Sequence, residues 1–166
     1  MSSLKEKIVK VYAKYTVWKT RKWSKNPVKT QDKVFKKLIS KAKHTSFGKD
    51  HSFYQIHRKE DFSKHVPIRD YEEIKTYINR IIDGETNVLW PGRPIYFAKT
   101  SGTTSGEKHI PISKESMPYH IKGSIDATMH YINETSNTGF LNKKVIFLQG
   151  SPKLEEKNSI KTGRLS

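Results

Sequence analysis

Residues 95–112 constrain the chain more tightly than anything around them. An apolar run, Ile95-Tyr96-Phe97-Ala98, leads through Lys99 into Thr100-Ser101-Gly102-Thr103-Thr104-Ser105-Gly106. Glu107, Lys108 and His109 follow, and a second short apolar segment runs from Ile110 to Ile112. Apolar runs of this length bounded by turn residues predict strand, loop, strand. Glycines let the backbone turn with positive φ and bring successive N–H groups onto one anion. The hydroxyls of Thr100, Ser101, Thr103, Thr104 and Ser105 add short donors, and Lys108 adds a mobile positive charge. Such a loop suits phosphate oxygens. A solvated surface loop has the same composition, so composition alone leaves both readings open.

The spacing excludes one rival. A Walker A loop places four residues between its glycines and puts Lys and Ser/Thr directly after the second. Here three residues separate Gly102 from Gly106, Glu107 precedes Lys108, and a strand rather than a helix is predicted to follow.

Upstream the pattern is helical. Leu4, Ile8, Val11, Tyr15 and Trp18 recur at alternating steps of four and three and predict the buried stripe of a first helix. Asn26-Pro27 opens a second helix, with Val34, Phe35, Leu38, Ile39 and Ala42 on its face, and the two are predicted to form a hairpin. A short helix is predicted from Lys59 to His65, stopped by Pro67. Asp70 and Glu73 form a capping box for a helix that buries Ile74, Tyr77, Ile78, Ile81 and Ile82 and ends at Gly84 in a left-handed cap. Ser113 is read as the N-cap of a helix with Met117, Ile121, Ile125, Met129 and Ile132 on its apolar face. Residues 145–148 are read as a buried strand, and after Gly150 the sequence becomes polar.

Composition bounds the partners. The 166 residues suit one domain, but hydrophobic residues make up only 34%, against about 45–50% apolar usage, glycine included, in ordinary soluble domains. There is no cysteine, which excludes disulfides, thiolate metal sites and a cysteine nucleophile and is compatible with a cytoplasmic location. The net charge is +16 and lopsided: residues 1–50 hold fifteen Lys/Arg against three acids. A basic third interleaved with Tyr12, Tyr15, Trp18 and Trp23 suits a nucleic-acid or anionic-surface binder. Because the aromatics fall on the apolar stripe, the favoured reading is instead a helix pair with solvated lysines, and nucleic acid is not the expected partner. His51 and His57 lack metal-ligand spacing, so no metal site is expected, and Glu107 is read as a solvated loop residue.

The motifs, taken in order, carry a resemblance. Phe47-Gly48-Lys49-Asp50-His51-x-Phe53, Val66-Pro67-Ile68-x-x-Tyr71-x-x-Ile74, Ile78-x-Arg80-Ile81-x-x-Gly84 and Pro94-Ile95-x-Phe97 precede the loop. Gly150-Ser151-Pro152 and Gly163-Arg164-Leu165-Ser166 close the chain. The whole resembles the GH3 family of acyl-acid–amido synthetases, in its bacterial branch, and the loop resembles the Thr-Ser-Gly-Thr-Thr-Gly-x-Pro-Lys loop of adenylate-forming enzymes.

The resemblance implies an α/β fold: N-terminal helices, then part of the mixed sheet of an adenylate-forming large domain. The resemblance covers the chain from about Asn26 onward, so that residues 26–166 would be the N-terminal part of the adenylation domain, with the adenine, ribose and most acyl contacts expected downstream, while residues 1–25 are read from their periodicity and charge as a basic amphipathic helix. It implies ATP and Mg²⁺ as cofactors and a carboxylic acid and an amino acid as substrates. Thr100, Ser101, Gly102, Thr103, Thr104, Ser105, Gly106 and Lys108 would bind the nucleotide, with Lys108 as the catalytic charge. An extra residue in plant members leaves Lys108 and His109 able to exchange roles. The helix after Ser113 would border the acyl pocket, although its apolar residues are read as core.

Overall fold

The computed structural model describes residues 4–100, 106–144 and 154–163. Six helices and four strands occur among them: α1 (Leu4–Ser24), α2 (Pro27–Ala42), α3 (Ser46–Asp50), α4 (Lys59–His65), α5 (Tyr71–Ile82), β1 (Tyr96–Lys99), β2 (His109–Ile112), α6 (Met117–Thr135), β3 (Glu155–Lys157) and β4 (Ile160–Gly163). The fold is α/β with a mixed sheet, as expected. The strand predicted over 145–148 lies outside the described residues. The chain divides into two compact units, residues 1–30 with 115–148, and residues 31–114 with 149–166.

In the first unit α1 packs along α6, where a hairpin with α2 was predicted. The core between them is small: Ala13, Met129 and Ile132, flanked by Val9, Phe140 and Leu141. This reverses the predicted face of α1. Ala13, Thr16 and Val17 are buried, whereas Leu4, Ile8, Val11, Tyr15 and Trp18 are all more than half exposed. Small side chains let two helix axes approach closely, and the approach to α6 selects that face over the bulkier one.

The start of α6 also differs from expectation. Ser116, not Ser113, occupies the N-cap position and makes no side-chain cap bond. Pro118 falls in the first turn, where its missing N–H costs nothing, and this sets the start of the helix. Met129 and Ile132 are buried as predicted, while Ile121 and Ile125 are exposed.

The second unit carries the larger core. Ile39, Ala42, Phe53 and Ile56 cluster with Phe35, Phe47, Phe62, Val66 and Trp90. Ile81, Val88, Phe97 and Ile160 form another cluster, with Tyr77, Ile82 and Leu89 against it. Val34 and Leu38, predicted on the buried face of α2, are about half exposed.

Helix α5 forms as its sequence dictates. Asp70 Oδ1 accepts from the Glu73 N–H at 3.0 Å, and the Asp70 N–H donates to Glu73 Oε2 at 2.8 Å. At the other end Gly84, with φ of 102°, closes a Schellman turn. Its N–H donates to the Ile81 carbonyl and the Glu85 N–H to the Arg80 carbonyl. Arg80 then clamps Glu85 through two nitrogens at 2.7 and 2.5 Å and donates to Ser46 Oγ at 2.9 Å. That ties the end of α5 to the first residue of α3.

The sheet runs β2-β1-β4-β3. β1 pairs antiparallel with β2 and parallel with β4, and β3 pairs antiparallel with β4. The β3–β4 turn uses Asn158 and Ser159, both at positive φ (47° and 64°), the signature of a two-residue type I′ hairpin.

Candidate functional site

β1 and β2 form the predicted strand–loop–strand. The register pairs Lys99 with His109, so both side chains leave the same face of the sheet. The pairing continues one step into the loop: the Thr100 N–H donates to the Lys108 carbonyl at 3.2 Å, and the Lys108 N–H donates to Thr100 Oγ1 at 3.4 Å. Thr100 and Lys108 thus close the neck, and the Thr100 hydroxyl, accepting there, keeps its own proton to donate. Gly106 has φ of 78°, a conformation that a side chain strains. Ser101, Gly102, Thr103, Thr104 and Ser105 lie outside the described residues.

A cluster of charged side chains flanks the neck, which the sequence reading missed. Lys99 Nζ lies 2.6 Å from Glu155 Oε2 and 3.0 Å from Glu107 Oε1, and its side chain is only 12% exposed. The Glu155 carboxylate, and then that of Glu107, hold the ammonium above the ordinary lysine range. Lys99 in turn keeps the Glu155 carboxyl below the usual carboxylate range. Because both carboxylates are largely solvated, neither tie adds much to stability. What the pairs fix is position: Glu107, read from sequence as a solvated residue with nothing beside it, is tethered to β1.

His109 is buried. Its Nε2 lies 3.1 Å from Glu107 Oε1 but lacks the alignment of a hydrogen bond, and so has no hydrogen-bond partner among the described residues. Burial, followed by the nearby charge of Lys157, pushes the imidazole below its ordinary pKa. The backbone of His109 is held by α5, with its N–H donating to Tyr71 Oη at 2.8 Å and its carbonyl accepting from the same hydroxyl at 3.4 Å. Lys108 Nζ sits over the Tyr71 ring, 5.4 Å from its centroid, a cation–π contact that holds the ammonium against the first residue of α5. The signal for Lys99 and His109 was available in the alternation of the strands. Glu155 carried none, because its strand reads as polar loop.

His51 has a structural role. Its buried ring lies 4.3 Å from Phe47, and its Nδ1 is 2.9 Å from the His65 carbonyl oxygen. A carbonyl can only accept, so this nitrogen carries the proton.

Comparisons with known proteins place the chain. The profile of the GH3 family N-terminal domain matches residues 18–166. Indole-3-acetic acid-amido synthetase GH3.15 of Arabidopsis thaliana is 36% identical over 101 residues, covering 60% of this chain and 17% of the relative. Jasmonoyl–L-amino acid synthetase JAR4 of Nicotiana attenuata is 25% identical over 145 residues, 84% of this chain and 24% of its own length. Among solved structures, AtGH3.15 acyl acid amido synthetase in complex with 2,4-DB superposes with a TM-score of 0.80 at 21% identity, over 92% of this chain and 27% of that one. The chain therefore spans about a quarter or less of the length of these relatives. The relatives are amino acid ligases by name, and the solved one shares the fold. With a profile match over all but its first helical turns, this chain belongs to the GH3 family.

Proposed function

We propose that the chain carries the phosphate-binding part of an ATP-dependent ligase that adenylates a carboxylic acid and transfers the acyl group to the amine of an amino acid. The observation that supports this most is the neck of the β1–β2 loop. Thr100 and Lys108 close it, Gly106 turns at positive φ, and the Lys108 ammonium is held over the Tyr71 ring. In a GH3 chain, a hairpin so built suits the triphosphate of ATP.

In the proposed reaction the substrate carboxylate attacks the α-phosphorus, pyrophosphate leaves, and an amine then displaces AMP to form the amide. Negative charge grows on phosphate oxygens in the first step, where fixed donors lower the barrier. The hydroxyl and N–H groups of Ser101, Thr103 and Thr104 and the hydroxyls of Thr100 and Ser105 would donate there, Gly102 and Gly106 would allow the close backbone approach, and Lys108 would supply charge. Mg²⁺ would arrive on the phosphates, since magnesium prefers to retain water and phosphate oxygens. No group of three or more His, Asp or Glu able to hold a metal occurs among the described residues. We assign the charge to Lys108 rather than His109, whose ring is buried against Glu107 and Phe97. The location we propose is cytoplasmic, and the domain boundary lies near residue 26.

The test is carboxylate-dependent ATP–pyrophosphate exchange. Lys108→Ala should slow it roughly ten- to a hundredfold, the equivalent of one charge-assisted contact, with a much smaller change in the acid's KM. Exchange unaltered by Lys108→Ala but lost in His109→Gln would transfer the role to His109.

A further inference from the structure

Helix α1 is amphipathic in the opposite sense to an ordinary surface helix. Its small residues, Ala13, Thr16 and Val17, are buried, and its large apolar stripe faces solvent: Leu4 is 75% exposed, Val11 68% and Trp18 56%. Tyr15 and Trp18 stack with ring centroids 6.0 Å apart, and Lys22 Nζ lies 5.2 Å over the Trp18 ring. At 100° per residue, Lys5 and Lys19 flank the stripe on one side and Lys7 and Lys14 on the other. The helix carries seven Lys/Arg against the single acid Glu6.

We propose that α1 is a docking helix for an anionic lipid surface, lying in the interface with its outward stripe inserted. Three observations select this occupant. An aliphatic run of Leu4, Ile8 and Val11 gains by entering acyl chains and offers nothing to the bases or phosphates of a nucleic acid. Flanking lysines can bury their stems and keep their charge at headgroup level, where each attracts anionic lipid, and the Tyr15–Trp18 pair suits the same depth. A second copy, a chain of net charge +16, would set another α1 with seven Lys/Arg and one acid against this one, which like-charge repulsion opposes. The helix lies on the surface and does not span it: among the described residues no helix is long and apolar enough to cross a membrane.

The experiment is co-sedimentation of the full chain with vesicles of phosphatidylcholine alone or mixed with phosphatidylserine, read with tryptophan fluorescence. Binding to the mixed vesicles at low salt is expected, with a blue shift that Trp18→Phe removes while binding persists. Ile8→Gln with Val11→Gln, and separately Lys5→Gln with Lys14→Gln and Lys19→Gln, should each weaken binding roughly tenfold or more. All these side chains are exposed, so circular dichroism should stay unchanged. Equal binding to phosphatidylcholine alone, or no effect of the apolar double variant, would overturn the proposal. So would Trp18 already shielded from acrylamide without lipid, or failure to bind vesicles alongside self-association that the double variant abolishes. Tighter binding to single-stranded RNA than to the mixed vesicles would assign the helix to nucleic acid instead.

Discussion

Helices α1 and α5 have sequences of the same kind, with an apolar stripe at helical spacing and charges elsewhere, and they use that stripe in opposite ways. α5 buries Ile78 and Ile81, with Ile81 packed against the sheet and the chain that follows the helix. It is closed at both ends by backbone-satisfying motifs and clamped by Arg80. α1 buries alanine, threonine and valine and presents its bulk to solvent. Periodicity reports that a helix has two faces. Which face turns inward depends on the partner, and α6 offers α1 a close approach that suits small residues.

The difference can be tested by substitution. Ile81→Ala should have the largest effect, about 2–5 kcal/mol in denaturant unfolding, because it opens a cavity beside Val88 and Phe97. A cost below about 1 kcal/mol would mean that the α5 stripe is not the core contact described. Ala13→Leu should cost about 1–3 kcal/mol, since Ala13 is fully buried and the added bulk must part α1 from α6. A stabilising outcome would place the leucine-sized face inward after all.

The β2 strand that α5 grips gives a pH signature. Burial and Lys157 lower the His109 pKa in the folded chain, whereas the unfolded chain titrates near the ordinary value of about 6.5. Between those two values the unfolded state binds more protons, so stability falls as pH drops from about 6.5 toward the folded value. His109→Gln should flatten that slope. It should not change the loss at lower pH, where Asp61, Glu85 and Glu155, all held below the usual range by hydrogen bonds, take up protons. The smallest effect belongs to Ile8→Gln. With its side chain exposed, stability should stay within about 0.5 kcal/mol of the parent, and a large loss would show that the outer stripe of α1 is covered by protein.

What was legible in the sequence was local. The Asp70–Glu73 box, the Gly84 stop, the helix from Lys59 to His65 and the strand–loop–strand of residues 95–112 are each written within a few residues, where backbone hydrogen bonding and φ preference decide the outcome. The inward face of α1 and the packing of α1 on α6 were not legible, because they depend on residues far along the chain. Nor was the β3–β4 hairpin: Glu155, Glu156 and Lys157 carry no apolar alternation, and only the Asn158-Ser159 pair hinted at the turn. Missing that hairpin also meant missing Glu155, and with it half of the clamp on Lys99. The neck of the candidate site could be read from sequence, while the charges that position it could not.

The parallel pairing of β1 with β4 has a kinetic consequence. β1 and β2 are joined by a short connection and can zip early, but Phe97 of β1 pairs with Thr162 of β4, 65 residues further along the chain, so β4 must close a long loop before it contributes any contact. Until then one edge of β1 is an open template for a stray strand. During ribosomal synthesis that edge waits for everything between to emerge, and the shoulder of the loop is completed late. A chaperone that holds the nascent chain through this interval would raise the yield of native protein without altering the stability of the finished fold.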